Sequence, residues 1–395
     1  MKPLVPASLF FLLCWSAASA QSFSVTDTQM LKGAWVPANS SQIDFTKLPR
    51  LSKSDHVVVN DVRDQDGHRV NQHNYLFFHD GLYWAMWSDG PGVARKPAGQ
   101  HRNTNPGHDQ AHQKVSYATS TDGLHWSPAK DITDSPAGDT GWIARGFWEY
   151  KGRLLALVTR FRAPGYQGDG LSLRAFEWDK NRSQWQYLGV VYDNAMNNFP
   201  PQQLPNGEWM MSRRDSLQNV HTLFGGLSNY NSWQSAPAVA YRGKTFKAEE
   251  PYWWVLPDHK TIMAMYRDNA KSRRIYRAFS TDNGRTWTDA VKTNFPDATS
   301  KFCGLRLSNG RYVLVSNPNP EARDPLTLAI SDDGITFTKM VYLVGNRVID
   351  YPHVMEHDGY LFVAFGGAKQ SVELIRIKID ELDKIQMPAN SIAKQ

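Results

Sequence analysis

The sequence predicts an all-β fold: a seven-bladed β-propeller of four-stranded antiparallel blades, with a six-bladed ring as the alternative. Three observations lead there. A Trp or Phe closing a Ser-x-Asp-type turn recurs about every fifty residues, apolar strand–turn–strand patterns run in phase with it, and helical periodicity is almost absent. Four strands in a repeat of that length are what one propeller blade needs.

The fullest turn reads Ser280-Thr281-Asp282-Asn283-Gly284-Arg285-Thr286-Trp287. Shorter copies are Ser120-Thr121-Asp122-Gly123-Leu124-His125-Trp126 and Ser331-Asp332-Asp333-Gly334-Ile335-Thr336-Phe337, and degenerate ones end at Trp185 and Trp233. Their Asp and Ser bond local backbone, their Gly takes positive φ and their aromatic residue packs between blades. That is a structural role, so no catalytic residue is expected there.

Taken along the chain, residues 1–20 have the form of an export signal, with Lys2, an apolar core and Ala18-Ser19-Ala20 before Gln21. The expected mature protein is therefore secreted or periplasmic, a single propeller domain over 21–395. It would keep one cysteine, Cys303, and so have no internal disulfide. Hairpins are centred on Asp80-Gly81, Lys151-Gly152, Asn206-Gly207, Asp258-His259, Asn309-Gly310 and Asp358-Gly359, pairs whose members tolerate positive φ. Third strands follow at 114–119, 275–279 and 326–330. Six such units fill 71–395; residues 22–70, with Trp35 and His56-Val57-Val58-Val59, have the length of a seventh. Pairing of N- and C-terminal strands would close the ring and remove an exposed edge.

The formal net charge of +6 is spread along the chain, and no Lys/Arg block resembles a nucleic-acid arm. Partners are accordingly expected among acidic glycans rather than nucleic acids or membranes, with the protein a monomer. The fourteen Trp and sixteen Tyr residues suit stacking on sugars, although most must serve as core.

In a propeller the innermost strand of each blade starts at the mouth of the central funnel, and the second strand returns to it. Residues about eight before each hairpin glycine and about seven after it should therefore meet. The former include Gln72-His73-Asn74, Arg145, Asn198, Glu249-Glu250, Lys301 and Asp350-Tyr351-Pro352-His353; the latter include Ser88, Arg214, Arg267 and Asn269. His73 is the leading candidate for proton transfer, because a near-neutral imidazole can give or take a proton; a structural histidine is the alternative. Glu250 and Tyr351 are the other catalytic candidates. Arg145, Arg214 and Arg267 can clamp a carboxylate or form salt bridges to Glu249, Glu250, Asp215 or Asp268. Gln72, Asn74 and His353 complete the expected substrate-binding set. No metal or other cofactor is expected. The irregular stretch 88–112, with His101, His108 and His112, is a candidate lid.

The Asp-turns resemble those of sialidase-like propellers across nearly the whole mature chain. The Phe/Tyr-Arg-Ile-Pro motif of exo-sialidases does not occur here, however. Asn71-Gln72-His73-Asn74-Tyr75, together with Tyr83-Trp84-Ala85-Met86-Trp87-Ser88-Asp89-Gly90, is similar to glycoside hydrolase family 145 and its lyase relatives. Those enzymes act on L-rhamnose linked α-1,4 to glucuronic acid. The resemblance implies a catalytic histidine at His73, arginines for the uronate, and rhamnose release by hydrolysis or β-elimination. An exo-sialidase and a non-catalytic glycan-binding propeller are the alternatives.

Overall fold

The computed structural model describes residues 24–63, 69–92, 109–165, 170–239 and 246–394. The expected leader and most of the expected lid, including His101 and His108, lie outside them.

Six four-stranded sheets follow one another around a ring. Blade I comprises Arg69–His79, Leu82–Pro91, Lys114–Ser120 and Lys130–Asp131; blade II comprises Thr140–Tyr150, Arg153–Arg162, Ser172–Asp179 and Gln184–Asp193. Blade III is Gln202–Gln203, Trp209–Arg214, Val220–Gly225 and Trp233–Pro237, and blade IV is Ala248–Val255, Ile262–Asp268, Arg274–Ser280 and Val291–Pro296. Blade V is Cys303–Arg306, Tyr312–Ser316, Leu326–Ser331 and Phe337–Val344. Blade VI takes Ile349–His357, Tyr360–Gly367 and Ser371–Lys378 from the end of the chain, and its outer strand, Asp55–Asp61, from the beginning.

The ring thus has six blades, which corrects the seven-blade expectation in favour of its alternative. Residues 24–54 build no sheet. They carry two short 3-10 turns and pack on the outer strand of blade V, where the Trp35 indole donates to the Thr338 carbonyl (2.9 Å) and Leu31 bridges Phe337. A blade-length segment is therefore spent on covering one edge strand and closing the ring. His56-Val57-Val58 pairs with Ile375, Leu374 and Glu373. Glu373 fastens this closure. It accepts both Arg347 Nη groups (2.8 and 2.6 Å), the Ser371 hydroxyl (2.6 Å) and a bond with His56 Nε2 (2.7 Å).

The turns are local devices. The Ser280 hydroxyl accepts the Gly284 N–H (2.9 Å), and Asp282 accepts the Thr286 N–H (2.9 Å) and hydroxyl (2.6 Å). Gly284 has φ +78°, and a Cβ there would run into Met210 of blade III, so both conformation and packing demand glycine. Between blades the core is strongly aromatic; Trp84 of blade I meets Trp178 and Trp185 of blade II edge-on at 5.0 and 5.8 Å. Cys303 is a buried free thiol whose pKa burial pushes up to about 12. No described helix is long and apolar enough to cross a membrane.

Candidate active site

The inner strands share a feature that the apolar pattern conceals. In blades I, II, IV and VI the pairing with the second strand breaks for two residues: between Gln72 and Tyr75, Ala144 and Phe147, Glu249 and Tyr252, and Asp350 and His353. Each break is a bulge with a left-handed residue: His73 (φ 57°), Gly146 (φ 100°), Glu250 (φ 43°) and Tyr351 (φ 53°). A bulge re-aims side chains, and non-glycine residues hold such φ values only where surrounding structure enforces them. Here the bulges turn His73, Arg145, Glu250 and Tyr351 toward the propeller axis, into one cavity of about 140 Å³. Arg214, Arg267 and Asn269, from or just past the ends of second strands, complete its polar lining together with Asn198 and Glu249; Met196 is its apolar member.

His73 is 2% exposed, and its Nδ1 lies 3.1 Å from the Ser88 hydroxyl, which also accepts the Ala144 N–H at 3.0 Å. The Tyr351 ring lies 4.4 Å from the imidazole, centre to centre. Burial first, and Glu250 second, hold the Tyr351 phenol well above its ordinary pKa, so it is a protonated O–H and a potential donor.

The carboxylates and arginines are partly paired. Arg214 donates to Glu249 (2.9 Å), which also accepts the Asn269 amide (3.0 Å), and Arg267 donates to Glu250 (2.6 Å). Burial raises the pKa of Glu249 despite Arg214. For Glu250 burial also pushes upward, but Arg267 and Lys301 outweigh it and leave the pKa below the usual value. The neighbouring acids are therefore driven apart, which suits them to different protonation states.

Arg145 differs from the other two arginines. It is 2% exposed, it forms no ion pair among the described residues, and its Nε has no hydrogen-bond partner there. Its side-chain hydrogen-bond contacts are to the Met196 sulfur and the Tyr75 hydroxyl, both uncharged. Burial lowers its pKa, but a guanidinium remains charged. Glu250 across the cavity acts on it only through its field, so a buried cation with no ion-pair partner among the described residues faces the cavity, and such a group suits an anion.

Three residues expected in the binding set do not line the cavity. Gln72 and Asn74 flank His73 and point elsewhere; their amides are buried. His353 is committed to holding blades VI and I together. Its Nδ1 accepts the Leu76 N–H (3.2 Å), its ring meets Tyr75 edge-on, and burial, then Lys301, lower its pKa to about 3, so it is neutral. Alternation accounts for Gln72 and Asn74, which flank the inward-facing His73, whereas His353 lies past the bulge, where the ladder resumes opposite Ala364.

Lys301 was legible as a mouth residue but not as a participant. It is 2% exposed beneath the cavity, donates to the Tyr75 hydroxyl (2.9 Å) and the Asn198 carbonyl (2.8 Å), and sits 4.4 Å over the Phe199 ring. Arg323, behind Tyr351, ion-pairs Asp350 and had no sequence signal at all. Among the described residues no cluster of His, Cys, Asp and Glu is arranged to hold a metal ion.

A ring of antiparallel blades with Asp-turns on its rim and a polar, arginine-lined cavity on its axis defines a BNR-type propeller. Residues 101–363 match the model of the BNR repeat-like domain, more than half of the chain, and the protein belongs to that family. No curated protein matches it significantly. Its fold is similar to a protein of unknown function from Dyadobacter fermentans, with TM-score 0.63 and 16% identity over 83% of this chain and 99% of that one. It is also similar to the intramolecular trans-sialidase from Ruminococcus gnavus (TM-score 0.61, 13% identity, 84% and 98% covered). A third similar structure is the Trypanosoma rangeli sialidase (TM-score 0.57, 14% identity, 85% and 59% covered). At these identities the likeness establishes the fold.

Proposed function

We propose that this protein is an exo-acting, glycan-cleaving enzyme that releases terminal α-L-rhamnose from D-glucuronic acid in acidic polysaccharides of the arabinogalactan or gum type. The observation that carries this reading is that Arg145, a buried cation with no ion-pair partner among the described residues, opens on the same cavity as the His73–Tyr351 pair. Arg145 receives the uronate carboxylate and neutralises the charge that builds up beside it. In elimination, His73 takes the proton from C5 of the uronate and the C5 electrons form the C4–C5 double bond. As that double bond forms the C4–O bond breaks, and the Tyr351 hydroxyl protonates the departing rhamnose oxygen. In hydrolysis, Glu250, kept ionised by Arg267 and Lys301, takes a proton from a water that attacks the rhamnosyl C1; the bond from C1 to the glucuronate oxygen breaks, the Tyr351 hydroxyl protonates that oxygen, and the glucuronate stays saturated.

A second reading is an exo-sialidase. It is favoured by Tyr351 and Glu250 sharing the cavity with three arginines. It is disfavoured by the ion pairs that already occupy Arg214 and Arg267.

The test is incubation with rhamnosyl-glucuronic acid oligosaccharides and, in parallel, with a fluorogenic sialoside. Free rhamnose supports the main reading, and the ultraviolet absorbance of an unsaturated uronate separates elimination from hydrolysis. Turnover of the sialoside alone replaces it with the second reading. Binding with no cleavage of either substrate leaves a glycan-binding propeller.

A further inference from the structure

Outside the axial cavity, a cleft of about 350 Å³ opens between blades II and III, lined by Arg160, Ser172, Arg174, Asp193, Asn194 and Ser216 among others. We propose that this cleft is a second carbohydrate subsite, for a negatively charged sugar next to the one held in the axial cavity. The proposal rests on the reading of that cavity as a glycan site.

Position is the first argument. Met196 and Arg214 line the axial cavity, and they are bridged to each other by paired backbone bonds, Met196 N–H to Arg214 O (3.0 Å) and Arg214 N–H to Met196 O (2.8 Å). Two residues outward on the same two segments stand Asn194 and Ser216, in the wall of the cleft, where the Asn194 side chain accepts the Ser216 N–H (2.8 Å). At ~3.3 Å per residue the cleft begins roughly 7 Å from the cavity wall, within reach of the next sugar of a bound chain. Arg160 leads to the same place from blade II: it is paired with Trp142, three residues before Arg145 on the inner strand.

Charge is the second argument. The Arg160 side chain forms no hydrogen bond or ion pair with any described residue; it acts on Asp139 only through its field, and Asp139 is itself held by Arg162 (2.7 Å). Arg174 uses its Nε on the Ser172 hydroxyl (3.0 Å) and lies over the rings of Trp142 and Tyr187 at 5.6 and 5.8 Å. Among the described residues neither guanidinium has a carboxylate partner. With its Nε on Ser172 and its charge over the two rings, Arg174 keeps its two Nη groups for a bidentate oxyanion. Tyr187, 52% exposed beside it, offers a face for a sugar ring. Among the described residues Asp193 is the one acid in the cleft lining, against two arginines, which favours an anion there.

The test uses Arg160→Gln/Arg174→Gln and the full chain. Three probes differ only in the sugar that follows the rhamnosyl-glucuronic acid pair: one bearing a carboxylate, its carboxyl-reduced neutral form, and a sulfated neutral form. The double variant should raise KM for the carboxylate-bearing oligosaccharide roughly tenfold and leave kcat unchanged, with the minimal rhamnosyl-glucuronic acid disaccharide unaffected. A matching loss on the sulfated probe alone would assign the cleft to sulfate esters. Equal KM for wild type and double variant on every charged probe would overturn the subsite, as would the same loss on the disaccharide. Calorimetric binding of the carboxylate-bearing probe gives a readout that needs no turnover. If the wild type cleaves nothing but binds this probe through Arg160 and Arg174, the cleavage reading fails and the subsite stands.

Discussion

The imidazole of His73 and the phenol of Tyr351 lie 4.4 Å apart, centre to centre, and inclined by 55°, although 278 positions separate them in the sequence. Both are left-handed bulge residues within the inner strands of blades I and VI, so the ring closure that joins the chain ends also assembles this pair. If the pair moves the protons, His73→Ala and Tyr351→Phe should each lower kcat by roughly 100-fold or more. Steady-state kinetics on rhamnosyl-glucuronate oligosaccharides check this; an unchanged rate in either variant removes that residue from the chemistry.

Arg145→Ala should cost about 1.5–3 kcal/mol of substrate binding, a factor of roughly 10–150 in KM, through loss of charged hydrogen bonds to the uronate. Arg145→Lys should not restore it, because an ammonium lacks the planar fork. With a carboxyl-reduced substrate the variants should approach wild type, which separates carboxylate recognition from a general loss of structure.

Lys301 lowers the Glu250 pKa from beneath the cavity. Lys301→Met should therefore raise that pKa and move the acidic limb of the pH–rate profile to higher pH. His353, with its pKa lowered to about 3, contributes no limb near neutrality, so His353→Asn should leave the profile's shape unchanged. A profile that does not move in Lys301→Met would uncouple the lysine from Glu250.

Ring closure should fail in acid. Burial raises the Glu373 pKa, but hydrogen bonds from His56, Arg347 and Ser371 outweigh it and bring the value to about 2, from an ordinary 4.5. A depressed carboxyl stabilises the fold fully above its unfolded pKa, and this contribution is lost as pH falls through the folded value. The stabilisation, on the order of 3 kcal/mol, should therefore disappear between about pH 4.5 and 2. Denaturant melts across that window should show a smaller acid dependence in Glu373→Gln.

The Asp-turn should be separable from the chemistry. Asp282→Ala removes three hydrogen bonds, with Ser280 and with both groups of Thr286. It should cost about 1–2 kcal/mol of stability and leave kcat unaltered below the melting temperature.

The blades were legible because their signals are local. Asp358-Gly359 or the Ser280–Asp282–Gly284 turn determines its own geometry through φ preferences and short-range hydrogen bonds, and alternation along each strand reports which face is buried. The same phase brought His73, Arg145, Glu250, Arg267 and Tyr351 to one level of the funnel, and the tertiary structure gathers those residues around one cavity. Three things were decided only in three dimensions. The number of blades depended on whether residues 24–54 paired as a sheet or covered blade V, a competition between distant surfaces that no local pattern records. Which mouth residues face the axis depended on two-residue bulges that turn His73 inward and leave Gln72, Asn74 and His353 at the interfaces. Which arginine lacks an ion-pair partner depended on carboxylates from other strands: Glu249 and Glu250 reach Arg214 and Arg267 but form no ion pair with Arg145. A charge can be read from a sequence, whereas its counter-ion is a neighbour in space.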